Sequence, residues 1–89
     1  MNQSITTLAI NLLISERLNH RILFAGKIIE ILHQSLQDFD DENDRLNAFI
    51  ATISQCTQEP NCSERDRFYD HAQYFNNKIF GQSNLFAVA

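Results

Sequence analysis

Between Ser4 and Phe39 the chain contains no proline and a single glycine, Gly26. These two residue types punctuate helices most strongly, so a stretch this long with so few of them reads as helix. The whole chain of 89 residues has only Gly 2 and Pro 1. That leaves too few turn formers for the tight connections of an all-β fold, and the expected class is all-α. A chain of this length supports one domain, here 1–89, and standing alone it would bury only about 60% of its unfolded surface.

The breaker-free stretch carries two apolar stripes that are out of phase. Leu18, Ile22, Ala25, Ile29, Leu32, Leu36 and Phe39 follow alternating steps of four and three, the seam of a packed helix. Upstream, Ile5, Leu8, Ala9, Leu12 and Leu13 lie on another side, and Ile10 and Ile14 on a third. The register therefore changes near Ser15–Asn19, either through a turn or through a stutter in one helix. Glu16, Arg17 and Leu18 are good helix formers, which favours continuity. The sequence thus predicts one long helix over about 4–38, roughly 50 Å at 1.5 Å per residue. A second helix is predicted over about 41–56, with Asp40–Asp44 capping its start and Leu46, Phe49, Ile50 and Ile53 on one face. A third is predicted over about 63–80. Ser63 to Asp66 resembles a capping box, Phe68, Ala72, Phe75 and Ile79 form the stripe, and Gly81 stands at the C-terminal stop before the tail 81–89.

Two short helices can cover the Leu18–Phe39 half of such a long helix. They leave the Ile5–Ile14 half without a partner in its own chain. An exposed Leu or Ile forgoes roughly 1.5–3 kcal/mol, so homodimerisation through Ile5, Leu8, Leu12 and Leu13 is the expected remedy. The expected architecture is a small helical bundle with one long N-terminal helix and two shorter ones, paired as a dimer. Tyr69, Tyr74, Phe80, Leu85 and Phe86 are the candidate contacts to a partner, because aromatics are enriched at interface hot spots.

Catalytic and metal chemistry find little support. Glu30 and His33 have the spacing of a di-iron bundle ligand pair, but no second Glu-x-x-His exists and Glu30 lies off the seam. Asp38, Asp40, Glu42 and Asp44 alternate as in a calcium loop, yet Asn43 and Phe49 stand where glycine and glutamate are required. Cys56 and Cys62 flank Pro60 and match no common zinc spacing. Free, partly buried thiols are expected there, with a loop-closing disulfide as the alternative. His20, His33 and His71 are scattered, Asp70 and His71 project about 100° apart, and no glycine-flanked serine is present. Neither an enzyme nor a cofactor site is expected.

The formal net charge of −4 opposes general affinity for phosphate backbones or anionic membranes. Arg17, Arg21 and Lys27 on the first helix, and Arg65, Arg67 and Lys78 on the third, keep a small helical DNA-binding or transcription-modulating protein as the alternative reading. The seven-residue connection at Thr57–Ser63 is too long for a helix-turn-helix, and Glu64, Asp66 and Asp70 interrupt the cations. The N-terminal segment has neither the charge pattern of a signal peptide nor the length of a membrane span, so a cytoplasmic location is expected. The expected function is binding another protein, as a regulator, adaptor, immunity factor or secretion-type chaperone. By analogy alone, such chains are common among bacterial or phage accessory proteins.

Overall fold

A computed structural model describes residues 4–81, apart from the side chains of Leu36 and Asp38. Its helices are α1 (Ile5–Ile14), α2 (Leu18–Gln34), α3 (Asn43–Gln58) and α4 (Arg65–Phe80). A 3-10 segment, Leu36–Glu42, joins α2 to α3 and is kinked at Phe39. The described residues are all-helical. Each helix packs on its neighbours in sequence, and α4 closes the ring against α1.

The long first helix is not formed. The longest dimension of the molecule is 33 Å, shorter than the roughly 50 Å a continuous helix over 4–38 would need. The chain leaves α1 at Ser15, whose backbone is extended at φ −75 and ψ 130, and Arg17 is extended as well. No proline or glycine makes this break. Ser15 supports it locally, because its hydroxyl donates to the Asn11 carbonyl at 2.6 Å. Folding α1 back buries Ile5, Leu8 and Leu12 almost completely. Those three side chains contribute together about 5–9 kcal/mol, which outweighs the few backbone hydrogen bonds lost at the break.

The start of α1 is tied down by two polar side chains. The Ser4 hydroxyl accepts from the Thr7 N–H at 3.0 Å, the ordinary cap of a helix start. The Ile5 N–H donates to Asn76 Oδ1 on α4 at 2.9 Å. Asn76 is itself buried, so one side chain satisfies an orphan donor of α1 and fixes α1 against α4.

The centre of the bundle is aromatic. Phe39, Phe49, Phe68 and Phe75 are all fully buried. Phe49 stacks on Phe75 with ring centroids 5.3 Å apart, while Phe39 meets Phe75 edge-on at 5.0 Å. Phe39 sits at the kink between α2 and α3, and its ring is buried against Phe75 of α4. The expected faces of α3 and α4 hold at Leu46, Phe49 and Ile53 and at Phe68, Ala72 and Phe75. Ile79 is only half-buried, and Ile50 is exposed.

The expected caps differ in detail. Glu42 precedes α3 without capping it through its side chain, because its carboxylate is engaged by α4. Ser63 lies in the loop, and α4 begins after Glu64, again without a side-chain cap. Gly81 takes φ 85 as a helix stop requires, and its N–H returns to the Asn77 carbonyl.

Candidate interaction surface

The break between α1 and α2 reverses the expected roles of the two apolar stripes. Ile5, Leu8 and Leu12 lie in the core and Leu13 packs against it, so these four do not form a free self-association face. The seam assigned to α2 is instead largely open at its N-terminal end. Large aliphatics that are 38% to 69% exposed are Ile10 and Ile14 on α1, Leu18, Ile22, Leu23 and Ile29 on α2, and Ile50 on α3. Ile10 and Ile14 are four residues apart and therefore stack on one side of α1, roughly opposite Leu8 and Leu12. Leu18, Ile22 and Ile29 share a flank of α2 by the same rule. Ile14 and Leu18 bracket the turn, so the aliphatic surface runs over the α1–α2 corner.

Arg21 holds that corner in place. The residue is only 9% exposed. Nε donates to the Thr57 carbonyl at 2.7 Å, and one terminal nitrogen donates to the carbonyls of Ser15 and Glu16, both at 3.1 Å. Ser15 closes α1 and Thr57 lies in the last turn of α3. The guanidinium therefore sits at the negative dipole ends of two helices and satisfies carbonyls that have no intrahelical partner. The planar fork of arginine suits this task, whereas a lysine ammonium would not span the same acceptors.

The opposite end of the bundle carries a polar cluster. Glu42 Oε1 accepts from the Tyr74 hydroxyl at 2.5 Å and from Lys78 Nζ at 3.0 Å. The Arg45 guanidinium lies over the Tyr74 ring, 4.1 Å from its centroid. Hydrogen bonds from Tyr74 and Lys78 hold the Glu42 carboxyl below its ordinary range. The bond to Glu42 in turn raises the Tyr74 hydroxyl. A cleft of about 480 Å³ opens beside this cluster, lined by Asp40, Asp41, Glu42, Asn43, Asp44, Arg45 and Tyr74.

The candidate partner residues fall into three groups. Tyr69 and Phe80 are half-buried and pack against the core. Tyr74 joins the Glu42 cluster and meets Phe75 edge-on at 5.2 Å. Leu85 and Phe86 lie outside the described residues. Among the described residues, Tyr69, Tyr74 and Phe80 are each half-buried. Several of the cations weighed for nucleic acid are engaged within the chain: Arg21 at the corner, Lys78 with Glu42, and Arg67 with Glu64 at 3.3 Å.

Cys56 is buried and Cys62 is half-buried, and both are free thiols. His71 lies near the Phe49 ring, and its Nε2 is occluded without a hydrogen-bond partner among the described residues. Burial, with smaller contributions from Arg45 and Arg67, lowers its pKa below the ordinary value. Among the described residues no group of three or more His, Cys, Asp or Glu side chains is arranged to hold a metal ion. Nor, among them, is any helix long and apolar enough to cross a membrane.

No protein-family model, curated protein or solved structure matches this chain.

Proposed function

We propose that this chain is a non-enzymatic interaction module that pairs with a second copy of itself through the α1–α2 corner. The supporting observation is that Ile10, Ile14, Leu18, Ile22 and Leu23, five large aliphatics within fourteen residues, are all exposed. The core that these residues could have joined is already filled by Ile5, Leu8, Leu12, Ile28 and Leu32. Exposed large aliphatics gathered in one region of a small protein mark an interaction site. A two-fold contact sets like against like, so these aliphatics would meet their own copies.

The self-association expected from the sequence is kept, but its residues change. This relocation makes the test cleaner, since substitutions at exposed positions leave the core alone. Light scattering across a micromolar to millimolar range should show a concentration-dependent dimer. The Ile14→Asp, Ile22→Asp double variant should remain monomeric with a nearly unchanged urea midpoint. A wild-type chain that is monomeric throughout that range refutes the reading, as does a double variant that still dimerises.

A further inference from the structure

The loop between α3 and α4 brings its two thiols together. Cys56 lies in the last turn of α3 and Cys62 in the turn that precedes α4, with five residues between them. Their sulfurs are 3.5 Å apart. The loop is held in this shape by backbone bonds, from Cys62 N–H to the Glu59 carbonyl at 3.0 Å and from Arg65 N–H to the Cys62 carbonyl at 3.3 Å. Only a small approach of two side chains separates this arrangement from a covalent bond.

We infer that Cys56 and Cys62 form a reversible dithiol–disulfide pair, oxidised by small disulfides of the glutathione class that reach Cys62 first. The order follows from access. Cys56 is wholly buried, whereas Cys62 is half-buried and lines a surface cleft of about 330 Å³ with Gln55, Gln58, Glu59, Ser63 and Glu64. Burial and the neighbouring Cys62 push the Cys56 thiol up to about 12, which makes it a poor first nucleophile because the thiolate is the attacking form.

The chemistry closes in two exchanges. The Cys62 thiol loses its proton to solvent, and its sulfur attacks one sulfur of the oxidised tripeptide. The tripeptide S–S bond breaks and one reduced tripeptide leaves as a thiolate that takes up a proton. Cys56 then loses its proton, its sulfur attacks Cys62 Sγ, and the second reduced tripeptide leaves. Two protein thiols are oxidised to one disulfide while one small disulfide is reduced to two thiols, so electrons and protons balance.

The bond would cross-link a short loop next to the Thr57 carbonyl that receives Arg21. It would constrain the unfolded chain without demanding a new fold, so oxidation should raise the melting temperature by on the order of 10 °C.

The test treats the full chain with excess oxidised glutathione, quenches by alkylation and reads intact mass and peptide maps. Wild type should become an intramolecular Cys56–Cys62 disulfide that blocks alkylation at both sites, and dithiothreitol should reverse it. Cys56→Ala should stop at a single glutathione adduct on Cys62. Cys62→Ser, changed at the less buried site, should take up glutathione at least tenfold more slowly than wild type. A wild-type adduct that persists without closing the ring overturns the inference. So do a Cys62→Ser variant that reacts at the wild-type rate, only intermolecular disulfides, and an oxidised form that melts lower than the reduced one.

Discussion

Replacing Arg21 with methionine keeps most of the side-chain volume and removes all three donations to Thr57, Ser15 and Glu16. Hydrogen bonds from a charged donor contribute about 1.5–3 kcal/mol each, but water can reach part of a corner once the guanidinium is gone. Taking the lower end and allowing for that access, the expected loss is about 3 kcal/mol. A domain of this size has a net stability of roughly 4–13 kcal/mol, so the loss is large but survivable. Urea denaturation followed by circular dichroism should show the midpoint falling by about 2 M with little change in slope. The melting temperature should fall by about 12–24 °C. Arg21→Lys should lie between the two, since it retains the charge and the stem but not the fork. A midpoint within about 0.3 M of wild type for Arg21→Met would refute the idea that this side chain holds the corner. An Arg21→Lys variant as stable as wild type would instead show that charge at two helix ends suffices without the fork.

Two further perturbations probe the remaining ties. Asn76→Ala leaves the Ile5 N–H without its acceptor, and urea melts should show a loss of about 1–2 kcal/mol, whereas an unchanged midpoint would mean that water replaces the amide. His71 has a folded pKa below its ordinary 6.5, so the unfolded chain binds the proton first as pH falls. Its contribution is complete above about pH 6.5 and is lost progressively as pH drops from there to the depressed folded value. His71→Gln should flatten stability against pH in that window. Any acid loss arising from Glu42, whose carboxyl is depressed, should remain, because it begins only below its ordinary 4.5.

Helix class, the two later helices and most of their buried faces could be read from the residues, because apolar spacing in α3 and α4 answers to one partner side. The break after Ile14 could not. Its stabilisation is non-local: Arg21 reaches Thr57 across 36 positions, and Asn76 reaches Ile5 across 71. Local propensity at Glu16, Arg17 and Leu18 points to helix, and only burial of Ile5, Leu8 and Leu12 against distant helices outweighs it. The change of apolar phase near Ser15 was the available signal, and it admits a turn as readily as a stutter. Once the turn is chosen, the same pattern exposes Ile14, Leu18 and Ile22 and moves the candidate surface. Arg21 was legible as a cation but not as a clasp, since its acceptors are backbone carbonyls that leave no mark in the sequence. The Cys56–Cys62 spacing was visible, and the turn that joins their sulfurs was not.

The bond from Ile5 N–H to Asn76 Oδ1 has a topological consequence. It sets the start of α1 beside the C-terminal half of α4, so the ends of the described chain, Ser4 and Gly81, lie at the same end of the bundle. The order in which the four helices are threaded is then a matter of where the ring is cut. A circular permutant that joins 81 to 4 with a short flexible linker and opens between Pro60 and Asn61 would run α4, α1, α2, α3 around the same core. In that permutant Cys56 and Cys62 would stand on either side of the new termini, and their disulfide would restore the cut connection.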